Sequence, residues 1–105
     1  MMTAEKLAEL YTIVLLKEEA LEIAREKLAH TSKDDKLEYE NIRRQTELAR
    51  DALQAAQKNL SVGITDFGKT HRNIPFFRKT KTFTAKLKHK TVKFYFDQRG
   101  IPTIA

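Results

Sequence analysis

Apolar residues recur at helical spacing through the first sixty residues of the chain. The stretch from Thr3 to Ala29 contains no Gly or Pro and is rich in Ala, Leu, Glu and Lys, which favour an uninterrupted helix. One apolar residue recurs every seven positions along it, at Leu7, Val14, Leu21 and Leu28, with Leu10 and Ala24 between them. The pattern predicts a helix that packs lengthwise against one partner helix.

A second helix is predicted from about Asp34 to Leu60. The polar segment His30–Asp34 interrupts the apolar pattern, and Ser32 or Asp34 is the expected N-cap, with Asp35 in the first turn. The apolar positions of this helix are Ile42, Leu48, Ala49, Ala52, Leu53, Ala55, Ala56 and Leu60. Because small side chains dominate toward its end, we expect the two helices to approach closely there.

The two helices are too long for a compact single-layer core, so they predict an antiparallel coiled-coil hairpin. We expect Gly63 to end the second helix, and Pro75 prevents helix from continuing far. A second apolar stripe on the first helix lies at a different angle from the first and has no partner within the hairpin. Its residues, Ile13, Leu16, Ala20 and Ile23, are therefore the candidate homodimer contact.

The pattern changes to strict alternation after residue 80. Apolar residues alternate with polar ones in Thr80–Lys88 and again in Thr91–Phe96, which predicts two strands. A two-residue turn at His89–Lys90 would pair Leu87 with Val92, Ala85 with Phe94 and Phe83 with Phe96; a four-residue loop of the same parity is the alternative. The opposite face would place Lys86 against Lys93 and Thr84 against Tyr95.

These elements predict an α+β fold: a long antiparallel helical hairpin, residues 1–62, followed by a small basic β-hairpin region, residues 63–105, packed with it as a single module. The chain has no cysteine, which excludes disulfides and thiolate metal sites and suits a reducing compartment. Its longest aliphatic run, Ile13–Leu16, is too short to span a membrane. We expect a cytoplasmic protein without membrane contact.

The two parts of the chain differ sharply in charge. Residues 1–60 hold 10 Lys and Arg against 12 Asp and Glu, whereas residues 61–105 hold 10 against 2 and all six Phe. A lysine face on a strand pair repels itself unless an anion neutralises it, and nucleic acid is the commonest such partner. The candidate nucleic-acid-binding residues are Arg72, Arg78, Lys79, Lys81, Lys86, Lys88, Lys90, Lys93, Tyr95 and Arg99.

One segment matches a catalytic motif without its context. Gly63–Thr70 fits the phosphate-binding pattern GxxxxGKT, but that loop needs a strand before it and a helix after it. We expect Gly63 and Gly68 to be turn residues instead. The three histidines are isolated in sequence, and no catalytic grouping can be assembled. We therefore expect no metal, no cofactor and no enzymatic activity.

The order of parts resembles the Mu Gam-like phage inhibitors of host nucleases. The similar stretch is Lys79-Thr80-Lys81-Thr82, then Ala85-Lys86-Leu87, a turn and Thr91-Val92-Lys93-Phe94, followed by Arg99 and Pro102. Members of that family are dimeric, are related to the eukaryotic Ku protein, and shield the ends of double-stranded DNA from exonucleases. The resemblance implies DNA-end binding by a dimer in the bacterial host cytoplasm, with Lys79, Lys81, Lys86, Lys93 and Arg99 facing the DNA.

Two functions from different classes remain open at this point. The first is sequence-independent binding of nucleic acid, double-stranded DNA foremost, because nothing in the basic half is suited to reading bases. The second is a protein–protein adaptor or anti-defence inhibitor that docks its helical hairpin or its basic patch on a protein partner. Salt dependence separates them, since phosphate contacts release counterions and weaken steeply with ionic strength.

Overall fold

Two long helices are followed by a small antiparallel sheet. The computed structural model describes all 105 residues. Its elements are α1 (Ala4–His30), α2 (Lys36–His71), β1 (Phe83–Lys86), β2 (Thr91–Phe96) and β3 (Pro102–Ile104). The predicted α+β class, with a helical hairpin preceding a small sheet, is confirmed. Neither helix has a stretch both long and apolar enough to cross a membrane.

Side-chain caps fix where both helices begin. Thr3 is the N-cap of α1, and its hydroxyl accepts a hydrogen bond from the Lys6 N–H at 3.2 Å. Asp35 caps α2 by accepting from the Glu38 N–H at 3.2 Å. The prediction of Ser32 or Asp34 as this cap is wrong, because the Ser32 hydroxyl accepts instead from the N–H of Asp34 within the turn.

The helices touch along the predicted seam of α1. Leu7, Val14 and Leu21 are buried there, and Ala56 and Leu60 are buried on α2. Leu48, which was expected in this seam, is 63% exposed. The close approach of the helices that was expected among the small residues before Leu60 stays a prediction.

Gly63 lies inside α2 and does not end it. A Cβ at this position would lie 2.9 Å from Leu10 Cδ1, so the missing side chain lets α1 approach. The helix continues to His71 because Phe67, almost wholly buried, extends its packed face beyond the glycine. The boundary drawn between residues 62 and 63 therefore falls within a helix, and tertiary packing outweighs the low helix propensity of Gly.

The sheet closes the carboxyl end of α2. The side-chain amide of Gln98 donates to the carbonyl oxygens of His71, Arg72 and Ile74 at 2.8–3.0 Å. These acceptors lie at the end of the helix and just beyond it, where carbonyls lack partners along the axis. A turn of the sheet thus stabilises the last turn of α2.

The sheet has three strands in the order β1-β2-β3, all antiparallel. Phe83 pairs with Phe94 and Ala85 with Val92, two residues away from the predicted pairs, so the connection is the four-residue loop Leu87–Lys90. A shift of two leaves every side chain on its predicted face. The third strand was not predicted, because three residues that include Pro102 carry almost no alternation signal.

The core lies where the sheet covers one end of the hairpin. Phe94 and Phe96 are fully buried, and the ring of Tyr11 from α1 meets Phe94 edge-on at 4.7 Å between centroids. On the other helix, α2, Phe67 packs against Phe96 of β2. Residues 22–52 of the two helices contribute no buried residue and form a projecting stalk, which gives the molecule extents of 61 × 23 × 14 Å.

Candidate nucleic-acid interface

The outward face of the sheet carries lysines and threonines. Strand alternation directs Phe83, Ala85 and Phe94 inward, so Lys86 and Lys93 point to solvent. Tyr95 shares this outward face. The strands β1–β3 contain no Asp or Glu at all. We call the group Lys79, Lys86, Lys93 and Tyr95, with the neighbouring threonines Thr84 and Thr91, the lysine face.

The pairing across the lysine face differs from the prediction. Thr91 lies opposite Lys86 and Thr84 lies opposite Lys93, so the expected Lys86–Lys93 pair is wrong. Tyr95 lies opposite Thr103 of β3, not opposite Thr84. The two lysines are therefore diagonal neighbours, which lowers their mutual repulsion and spreads the positive charge over more of the face.

Lys79 joins this face through an aromatic contact. Its Nζ lies 4.8 Å from the centroid of the Tyr95 ring, within cation–π range. The contact fixes a cation from the segment before β1 over the middle strand. Tyr95 accordingly positions a positive charge, and one face of its ring is already occupied.

Lys81 lies on the other side of β1, beside α1. Its Nζ is 3.5 Å from Glu5 Oε1 and 5.4 Å from the Phe83 ring centroid. Both charged side chains are largely exposed, so the ion pair contributes little to stability. It does offset the charge of Lys81 and separates this residue from the lysine face.

The hairpin tip is held by a carboxylate of α1. Glu19 accepts hydrogen bonds from the backbone N–H groups of Lys88 at 2.7 Å and His89 at 3.1 Å. Desolvation alone would raise the pKa of the Glu19 carboxyl. The two N–H groups and the nearby charges of His89 and Lys90 outweigh that effect and hold the pKa below its ordinary value. The N–H groups of Lys88 and His89 are thus already used, and Lys88 can offer an outside anion only its side chain.

Arg72 and Arg99 lie at the carboxyl end of α2, away from the tip. They line a hollow of about 630 Å³ whose other walls include Thr65, Gly68 and Gln98. The Asp97 carboxylate shapes this region by accepting from the N–H groups of Arg99 and Ile101, both at 2.9 Å. Arg78 is exposed in the segment between α2 and β1.

The ten predicted residues are therefore distributed over several places. The structure brings four of them together on the lysine face and places two at the tip, two at the hollow, one beside Glu5 and one in the connecting segment. Sequence reasoning missed Glu19, because one glutamate in a helix rich in glutamate gives no signal of a contact with a distant hairpin. Phe76, two residues before Arg78, is 98% exposed.

Residues 63–70 are helical throughout, so their backbone N–H groups serve α2 and do not form a phosphate-binding loop. The turn roles expected for Gly63 and Gly68 are wrong. A Cβ on Gly68 would lie 3.1 Å from the Arg99 carbonyl oxygen, so this glycine admits the turn after β2. His71 stacks on Phe67 at 4.0 Å, and no group of three His, Asp or Glu side chains is placed to hold a metal ion.

The candidate dimer stripe is not covered by the sheet. Ile13 and Leu16 are 44% and 41% exposed, Ala20 is exposed and Ile23 is half-buried. The sheet packs on the neighbouring face of α1, through Ala8 and Tyr11. The chain therefore has two separate surfaces of interest, one basic and one apolar. No family model, no characterised protein and no solved structure matches this chain significantly.

Proposed function

We propose that the chain binds nucleic acid without sequence preference, through the lysine face of its sheet. The observation that carries the proposal is an antiparallel sheet with cations and hydroxyl groups on its outward face and no carboxylate in its strands. Charges on the helices are mixed by contrast: Arg43 pairs with both Glu40 and Glu47. A surface of uncompensated lysines is suited to a polyanion.

The chemistry of this face favours the phosphate backbone over the bases. Ammonium groups and threonine hydroxyls donate to phosphate oxygens, which are the same at every nucleotide. Such contacts give affinity without reading the base sequence. The ring of Tyr95, which could stack on a base, is occupied on one face by Lys79. Double-stranded DNA is the first substrate to test.

The test replaces Lys79, Lys86 and Lys93 with Gln in one variant. Duplex affinity is measured by fluorescence anisotropy between about 50 and 200 mM salt. Each lost phosphate contact should lower the slope of log K against log salt by about 0.9, so the triple variant should lose up to about 2.7 units. The decrease should be the same for unrelated duplex sequences.

The matched control neutralises three exposed lysines of the helical half, Lys6, Lys33 and Lys58. It changes net charge equally and should leave the slope nearly unchanged. Equal losses in both variants would show that only overall charge matters, and the lysine face would be rejected as the site. A wild-type chain that binds neither duplex nor single-stranded DNA nor RNA at low salt would reject nucleic-acid binding and favour the adaptor.

The resemblance to Mu Gam-like proteins supports a preference for DNA ends as the finer proposal. Linear and covalently closed circular duplexes of equal length separate the two modes. End binding predicts retention of the linear form and protection of its ends from a double-strand-specific exonuclease. Equal affinity for both forms, without protection, would contradict end binding while leaving backbone binding intact.

A further inference from the structure

The uncovered stripe of α1 belongs to a longer pattern. Its spacing continues one step in each direction with steps of 4, 3, 4, 3 and 4 residues, the period of a coiled-coil seam. The full set, which we call the outer seam, is Glu9, Ile13, Leu16, Ala20, Ile23 and Lys27. α2 and the sheet occupy the other faces of α1 through Leu7, Val14, Ala8 and Tyr11. We propose that the outer seam pairs, in antiparallel direction, with the outer seam of a second copy of this chain.

The order of residues in the seam is symmetric about its centre. An antiparallel pair centred between Leu16 and Ala20 places Leu16 against Ala20 of the second copy. The same register then places Ile13 against Ile23, and Glu9 against Lys27, of the second copy. Such alternation of facing positions is how antiparallel coiled coils pack. A large side chain faces a small one at the centre, where the helices come closest.

The two charged ends determine the direction. Glu9 and Lys27 are exposed, and neither makes an ion pair within the chain. The antiparallel arrangement brings each Glu9 to a Lys27 and forms two ion pairs per dimer. A parallel arrangement would set Glu9 against Glu9 and Lys27 against Lys27, which is repulsive at both ends.

A groove beside the seam provides room for the second helix. It has a volume of about 650 Å³ between α1 and β1, with Ala8, Thr12 and Ile13 on the helix side and Phe83 and Thr84 on the sheet side. Glu5 and Glu9 line the same groove. In the proposed register, Ile23 and Lys27 of the second copy lie over this groove. Its apolar lining suits Ile23, and Glu9 is its one carboxylate without an ion pair within the chain, because Lys81, which also lines the groove, pairs with Glu5.

The contact is small, which sets the expected strength. The seam runs over the 19 residues from Glu9 to Lys27, roughly 27 Å of helix, and a single helix pair buries less than a standard interface of about 800 Å² per partner. We expect a dimer with a dissociation constant in the micromolar range. Sedimentation equilibrium between about 1 and 200 µM therefore measures it directly, in the absence of nucleic acid.

The decisive experiment is a charge exchange. Glu9→Lys alone and Lys27→Glu alone each convert both ion pairs of the antiparallel dimer into like-charge contacts, and each should weaken dimerisation about tenfold or more. The double variant Glu9→Lys/Lys27→Glu re-forms both pairs with the signs exchanged and should restore the wild-type constant. No parallel dimer would show this rescue, because its facing residues are identical in every variant.

The apolar centre is tested separately. Leu16→Lys should abolish the dimer, whereas Leu48→Lys, on an α2 position that is 63% exposed, should leave it unchanged. Circular dichroism checks that each variant keeps its helix content. The proposal is overturned by a wild-type chain that stays monomeric at 200 µM, by single exchanges without effect, or by a double exchange that does not restore association. None of these outcomes depends on nucleic-acid binding.

Discussion

Glu19 connects two elements that are 69 residues apart in sequence through a single carboxylate. Its hydrogen bonds to the tip amides favour the ionised form, which is why the pKa of the Glu19 carboxyl is depressed. A depressed pKa means that the contact stabilises the fold above the ordinary value of 4.5 and stops doing so as the pH falls through the lower folded-state value.

We therefore expect Glu19→Gln to lower the melting temperature at pH 7, because the amide is a weaker acceptor than the carboxylate. The difference between variant and wild type should shrink as the pH falls below about 4.5. Glu26→Gln, an exposed change on the same helix, is the control and should shift the melting temperature little at either pH. A constant deficit at all pH values would show that the lost stability does not come from the ionised carboxylate.

A side chain would be opposed for different reasons at Gly100 and at Gly63, and the two positions give different predictions. Gly100 has φ +82°, and a Cβ there would lie 3.1 Å from the Ile64 carbonyl oxygen. Gly100→Ala should therefore cost at least about 1–2 kcal/mol, the penalty for a left-handed alanine. Gly63→Ala gains roughly 1 kcal/mol in helix propensity, and its Cβ meets only the movable ends of two leucine side chains and one methionine side chain, so its net effect should be near zero. Urea denaturation of both variants checks this ranking.

At the scale of elements, the sequence predicted best what depends on local periodicity. The α1 seam from Leu7 to Leu21 and the inward set Phe83, Ala85 and Phe94 follow directly from 3.6- and 2-residue spacing. The end of α2 could not be obtained this way, because its extension past Gly63 depends on Phe67 packing against a sheet that follows much later in the chain.

The candidate site was predictable in its side-chain chemistry and only partly in its geometry. Alternation alone indicates that Lys86 and Lys93 share a face. The cation–π contact that brings Lys79 to them, and the ion pair that draws Lys81 away, depend on where the segment before β1 lies. Such tertiary placement has no periodic signature in the chain.

The third strand has a testable hydrogen-bond pattern. The Asp97 N–H donates to Ile101 O at 3.2 Å, and the Ala105 N–H donates to Lys93 O at 2.9 Å. In this segment, therefore, the backbone groups of every second residue point toward β2 and bond to it. Thr103, midway between Ile101 and Ala105, is one of these hydrogen-bonded residues. Pro102, which has no N–H, lies between two of them and needs no such bond. We expect Thr103→Pro to cost more than about 1 kcal/mol by removing a ladder bond, and Pro102→Ala to cost less. Equal costs in denaturant titrations would contradict this pattern.

At the scale of the whole molecule, one aromatic cluster joins the hairpin and the sheet. Phe94 is fully buried and contacts the rings of Tyr11, Phe83 and Phe96. Phe94→Ala should cost about 3–5 kcal/mol, as for other buried aromatic truncations. Phe76→Ala removes the same atoms from a side chain that is 98% exposed and should cost almost nothing. Thermal unfolding of both variants shows whether the loss of stability comes from the buried position or from losing a phenylalanine anywhere. Similar losses would contradict the assigned core.

The position of the sheet also has a consequence for synthesis. All three strands follow both helices in the chain, so a ribosome completes the hairpin before the residues that cover it exist. Until β2 emerges, Tyr11 and Phe67, which pack against its phenylalanines, face water at the broad end of the hairpin, a patch of the kind that associates nonspecifically. The nascent chain is thus most prone to aggregation in the interval between His71 and Phe96, and a chain truncated there would expose that patch permanently.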